Sequence, residues 1–189
     1  MNEATTKRLN FGCGRDYRDG WVNADVNPKV RADVYLNPKD GRIPFEDNTF
    51  DEILLDNVLE HIGRDRIFTF LDELHRISRA GAILRIYVPH YTSVFAYANL
   101  SHCTTFAIGA FDCCTSEGGI GSSERYGKAV FRVRRQRLLF FGHNPVRMRV
   151  LGKLPINWLF NVSWLWQKMM ERFQVFGFDE VYFELDAVK

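Results

Sequence analysis

The sequence predicts an α/β fold on a mostly parallel sheet, and three observations predict it. Strand-like segments alternate with helical connections, the pattern of a parallel sheet with covered faces. Ile53-Leu54-Leu55 is continuously apolar, as a strand buried on both faces requires. The strand candidates end in turns rich in Gly, Asn, Asp or Pro, and ligands of open α/β sheets sit beyond the carboxyl ends of the strands.

Arg8-Leu9-Asn10-Phe11 reads as a strand entering the turn Gly12-Cys13-Gly14. Trp21 to Val26 and Ala32 to Leu36 are the next two, stopped by Asn27-Pro28 and Asn37-Pro38. Only Gly12 to Trp21 separates the first two, so the connecting helix is one turn or missing. Asp51 to Asp56 is the fourth strand. Ile67, Phe70, Leu71, Leu74 and Ile77 recur at the helical period, with Gly81 as the expected stop. Ala82 to Val88 is a further buried strand ended by Pro89. In the second half, 92 to 112 reads as largely helical and Gly118 to Ser123 as a loop. Ala129 to Phe140 reads as an Arg-rich strand, 157 to 175 as an aromatic helix and Glu180 to Val188 as the last strand.

A chain of 189 residues suits one domain with a substantial core. The expected division is a ligand-binding half, 1 to 90, and a half carrying the second substrate and the closing strands, 91 to 189. No apolar run approaches the ~20 residues of a membrane span. Met1 to Lys7 lacks the apolar core of a signal peptide, which makes the cytoplasm the expected location. Four cysteines without zinc-ligand spacing fit a reducing compartment and give no reason to expect a metal.

Glycines at 12 and 14 let the chain turn sharply and let a ligand approach the backbone. Alone, they also fit a tight turn and nothing more. A nicotinamide-binding G-x-G-x-x-G would need glycine at Tyr17, which weighs against an oxidoreductase. Asp25 closes the adjacent strand, where a carboxylate accepts both hydroxyls of a ribose; the bland alternative is an ordinary loop aspartate. Asn37 offers an amide to an adenine edge, or only a turn before Pro38.

Four segments in order then carry a resemblance: Leu9-Asn10-Phe11-Gly12-Cys13-Gly14, Gly20-Trp21-Val22-Asn23-Ala24-Asp25, Ile43-Pro44-Phe45-Glu46-Asp47-Asn48-Thr49-Phe50-Asp51 and Asn57-Val58-Leu59-Glu60-His61-Ile62. Over about residues 8 to 90 the chain resembles the class I S-adenosylmethionine (SAM)-dependent methyltransferases, in particular the methyltransferase type 11 domain. The resemblance implies a Rossmann-like fold with a seven-stranded sheet, mostly parallel, whose last strand is antiparallel. It implies SAM as cofactor, with S-adenosylhomocysteine as product. The residues it points to are Phe11, Gly12, Cys13, Gly14, Asp25 and Val26, with Asn37, Asp56, Asn57 and His61 around them. Asp16 stands where such proteins often carry a third glycine, and Asn37 where aspartate is commoner.

Methyl transfer from a sulfonium needs alignment more than acid catalysis, but a hydroxyl acceptor also needs a base. His90 follows a strand end, and His102 lies in a stretch resembling a Thr-His pair of related proteins; both are candidate bases. His61 is expected to pin the glycine turn, and Tyr91 is a lesser candidate. Asn57-Val58-Leu59-Glu60 is not the Asn-Pro-Pro-Tyr type of loop that methylates DNA bases. An oxygen on a small molecule, a sugar or a lipid-linked intermediate is therefore the expected acceptor. The alternatives are a SAM-binding module without catalysis and an adaptor for a membrane or RNA surface.

Between 125 and 153 lie nine Lys and Arg and no Asp or Glu. Trp158, Trp164 and Trp166 follow closely. Residues 125 to 166 thus read either as a contact for an anionic membrane surface, which would make the protein peripheral, or as a solvated strand face beside core aromatics. No nucleic-acid motif accompanies the charge, which disfavours nucleic acid as partner.

Overall fold

The computed structural model describes residues 6–37, 41–115, 127–140, 142, 156–173 and 177–189. Seven strands form one sheet: β1 (Arg8–Phe11), β2 (Val22–Asp25), β3 (Val34–Tyr35), β4 (Phe50–Asp56), β5 (Ser78–Pro89), β6 (Phe131–Leu139) and β7 (Glu180–Ala187). Their order is β3-β2-β1-β4-β5-β7-β6. β1 to β5 run parallel, and β7 pairs antiparallel with both β5 and β6. The expected seven-stranded sheet, mostly parallel with an antiparallel last strand, is observed.

Leu9, Ile53, Leu55, Leu84, Ile86, Phe183 and Leu185 fill the core of this sheet. Burial on both faces explains why these strands are nearly continuous apolar runs. Helix α1 (Ile67–Ile77) lays Leu71, Leu74 and Ile77 on it, with Arg76 in its last turn, where a cation suits the helix dipole. The helix does not run on to Gly81. Ser78 ends it, turning its hydroxyl back to the Leu74 carbonyl at 2.7 Å. β5 starts at that same residue, and Gly81 (φ +75°) sits in the irregular stretch where its pairing with β4 slips.

No helix connects β1 and β2. Two buried amides hold the connection instead. Asn10 Nδ2 donates to the Asp16 carbonyl at 2.6 Å and to Asn23 Oδ1 at 3.1 Å. Asn23 accepts from the Arg18 amide and donates to the carbonyls of Arg18 and Trp21. Asp33, in turn, accepts from the backbone and side chain of Asn23 and from the Tyr17 hydroxyl.

The largely helical reading of 92 to 112 is corrected. Only α2 (Val94–Ala98) is α-helical, capped by the Ser93 hydroxyl, followed by a 3₁₀ turn at Asp112–Cys114. Phe106, Ile108 and Phe111 are buried from irregular backbone, so their spacing follows the core rather than a helix face. The aromatic helix is two: α3 (Ile156–Phe160) and α4 (Trp164–Phe173). The loop expected at Gly118 to Ser123 lies outside the described residues.

Candidate active site

The Gly12–Gly14 turn leaves β1 with positive φ at both glycines, +70° and +51°. The amides of Gly12 and Cys13 both donate to the Ala24 carbonyl of β2. Asp25 points into the turn: its Oδ2 accepts from the Gly14 amide and its Oδ1 from the Asn27 amide, each at 2.7 Å. An ionised carboxylate has about four acceptor positions, so two remain for ribose hydroxyls. The strand-end carboxylate and bare backbone bend are thus joined as the sequence implied.

The other predicted donor-side residues sit as follows. Val26 is exposed beyond β2, and Asn37 is exposed two residues beyond β3. Asp56 ends β4; Asn57, in a left-handed conformation (φ +54°), donates its side-chain amide to it at 2.8 Å. Phe11 turns its ring into the core, edge-on to Phe70, so only its backbone borders the bend. Cys13 is buried, and burial beside Asp25 pushes its thiol pKa up. A hollow of about 450 Å³ lies along Arg42 to Glu46 and is lined by none of the predicted residues. Arg76 of α1 fixes that segment through the carbonyls of Ile43 and Phe45.

The family described as "Methyltransferase domain" matches residues 9–86. Among solved structures, a SAM-dependent methyltransferase from Archaeoglobus fulgidus is 15% identical, with a TM-score of 0.56 over 97% of this chain and 87% of that one. A complex of the Haloferax volcanii Trm112 methyltransferase activator with a methyltransferase gives 15%, 0.59, 98% and 83%. The cyclase SpnF gives 13%, 0.56, 97% and 75%, so the fold alone does not dictate methyl transfer. No curated protein matches the chain. Residues 9–86 thus match the methyltransferase-domain family, and the whole chain shares its fold with SAM-dependent methyltransferases. SAM, the cofactor of that family, would supply an electrophilic methyl on a sulfonium, and the bend and Asp25 are the residues that would hold it.

His90 and His61 are placed differently from expectation. His90 is fully buried with both ring nitrogens engaged. Thr92 donates to Nδ1 through its amide, and its hydroxyl lies 2.7 Å from the same nitrogen. Nε2 then carries the proton and donates to Glu171 at 3.0 Å. That packing closes His90 to an acceptor, and its role as a base is corrected to a buried tie between strand end and α4. Tyr91 likewise donates to the Glu171 carbonyl.

His61 does not pin the glycine turn. Val58 does: a Cβ on Gly12 would lie 2.5 Å from its Cγ2. His61 instead turns toward Ser101, with its Nδ1 3.0 Å from the hydroxyl, and meets His102 edge-on at 4.8 Å between ring centroids. Burial and the neighbouring His102 lower the His61 pKa, which keeps it neutral. Glu60 completes this cluster, and sequence reasoning missed it. It is only 1% exposed, and neither carboxylate oxygen has a hydrogen-bond partner among the described residues. Burial pushes its carboxyl up to about 8, against the opposing effect of its own amide and with lesser reinforcement from Asp56 and Glu180.

Proposed function

We propose that this methyltransferase transfers the SAM methyl group to an oxygen of a small molecule, a sugar or a lipid-linked intermediate. The observation that carries the reading is the Glu60–His61–His102 cluster beside the donor bend. Val58 packs on Gly12, and Glu60 and His61 follow within one short 3₁₀ turn (Leu59–His61). A hydroxyl brought there meets the exposed, neutral His61, which can take its proton, while the bend and Asp25 align the donor. Incubation with labelled SAM and a panel of alcohols, sugars and lipid-linked sugars tests this. Label on hydroxyl oxygen supports it. SAM binding with label only on amines overturns the oxygen assignment, and SAM binding without transfer to any acceptor favours the non-catalytic module.

The face built by α3 and α4 favours an acceptor held at an anionic membrane surface. Trp158 is 71% exposed and Leu165 62%, with Leu159, Val162 and Trp164 also exposed. Arg132, Arg134, Arg135 and Arg137 project from edge strand β6. Of these, Arg134 faces Glu184 and Asp186 at 3.7 and 3.8 Å, so part of the basic band serves the sheet itself. Arg125, Arg147, Arg149 and Lys153 lie outside the described residues. No helix of the described residues is long and apolar enough to cross a membrane. Salt-sensitive co-sedimentation with phosphatidylserine vesicles, lost in Trp158→Ala/Leu165→Ala, is the expected result. Equal sedimentation with neutral vesicles would remove the membrane reading.

A further inference from the structure

We propose that Glu60, His61 and His102 form a binding site for a divalent transition-metal ion of the zinc class. The three residues each bring one ligand atom, all within 4.8 Å of one another. One carboxylate and two imidazoles suit zinc and its neighbours and do not suit magnesium or calcium, which take oxygen ligands.

The polar atoms of this cluster lack the partners that buried groups ordinarily have. Both Glu60 oxygens and His102 Nδ1 are buried with no hydrogen bond among the described residues. A cation bound by the cluster would give Glu60 a partner that it lacks among the described residues. The tautomer of His61 suits the same role. The single hydroxyl proton of Ser101 is donated to Asn99 Oδ1 at 2.9 Å, so Ser101 Oγ accepts from His61 Nδ1. His61 therefore holds its proton on Nδ1 and keeps the Nε2 lone pair, with the outer hydrogen bond that metal-bound histidines commonly make.

The backbone holds the two contributing segments together without metal. The Glu60 carbonyl accepts from the amides of Cys103 and Thr104, at 2.7 and 3.2 Å. Thr104 Oγ1 donates to the Ile62 carbonyl at 2.8 Å. Zinc-ligand bonds of about 2.0–2.2 Å put tetrahedral ligands about 3.3 Å apart. Side-chain movements on the order of an ångström bring the cluster to that spacing. Three protein ligands leave a fourth position open, as in sites that meet a substrate. Binding does not depend on the methyl-transfer reading, and the test below reads no methyl transfer.

Cobalt(II) is the probe. The untagged full chain, stripped with chelator, is titrated with Co²⁺ and followed by visible absorption, then back-titrated with Zn²⁺. One equivalent of Co²⁺ is expected, with the strong bands of a four-coordinate site that Zn²⁺ abolishes. Glu60→Gln and His102→Gln should each weaken binding at least tenfold, and Cys103→Ser should leave it unchanged. Circular dichroism shows which variants are folded, and a variant that is not is set aside in favour of the other. Absence of these bands in the folded wild-type chain overturns the proposal, as does undiminished uptake by a folded Glu60→Gln or His102→Gln. Retained S-adenosylhomocysteine binding in the same samples separates failure of the metal site from failure of the donor site.

Discussion

Val58 packs so closely on Gly12 that a Cβ at that position would come within 2.5 Å of its Cγ2. The contact joins the turn after β4 to the donor bend, and Gly12 also needs its positive φ. Gly12→Ala should therefore lose on both counts: about 1–2 kcal/mol for the left-handed backbone, and more for displacing Val58. Chemical denaturation should show the lost stability. Calorimetry with S-adenosylhomocysteine should show binding lost in whatever fraction stays folded, because the bend and the Val58 turn cannot both keep their places.

Asp25 holds two backbone amides, one on each oxygen, and both bonds are charge-assisted. Asp25→Asn leaves one acceptor oxygen and puts an NH₂ against a backbone N–H. Hydrogen bonds to charged groups are worth about 1.5–3 kcal/mol. Binding of S-adenosylhomocysteine should weaken roughly 10- to 100-fold, from that loss together with poorer ribose recognition. Isothermal calorimetry checks it, and an affinity within twofold of wild type would remove Asp25 from the donor site.

The joined bend and carboxylate were legible in the sequence because strand, glycine turn and strand-end Asp25 lie within Arg8 to Asp25. β3 was legible only in part, since an edge strand two residues long carries little alternation. The Glu60–His102 pairing was invisible, because a turn after β4 meets an irregular segment after α2, and no local period encodes that meeting. His90 misled for the opposite reason. A histidine after a strand end reads as ligand-side, but Thr92 and Glu171 close over it from the chain's own later elements. Asp33, which ties Tyr17 to Asn23, sits in a loop where nothing but tertiary contact distinguishes it.

The His90–Glu171 tie makes stability pH-dependent at the acid end. Burial alone would raise the Glu171 carboxyl, but donation from His90 and from the Ile108 amide, at 2.6 Å, outweighs it and holds the pKa below the ordinary glutamate value. A carboxylate with a depressed folded pKa contributes stability above its unfolded pKa and loses it as pH falls through the folded one. Melting temperature should thus drop below about pH 4, the usual glutamate range. Glu171→Gln should flatten that limb and cost about 2–4 kcal/mol at neutral pH, as breaking a buried pair does. Thermal melts of both proteins from pH 3 to 8 measure the effect, and parallel curves would show that the tie carries no such linkage.

Asn23 is the stiffener of the helix-free β1–β2 connection. It is fully buried, and its amide makes five side-chain hydrogen bonds, to Asn10, Arg18 (twice), Trp21 and Asp33. Asn23→Ala leaves the Arg18 amide and the two carbonyls to water or to nothing. Each buried polar group left unpaired costs about 1–3 kcal/mol, partly relieved where solvent enters. The expected loss is about 2–4 kcal/mol by urea denaturation. Faster amide exchange should be confined to residues 10 to 21, because the rest of the sheet keeps its partners. With that connection loosened, Gly14 loses its fixed place against Asp25, so S-adenosylhomocysteine affinity should fall even in the folded fraction. A variant that is destabilised but binds with wild-type affinity would show that the connection supports the sheet alone and not the donor site.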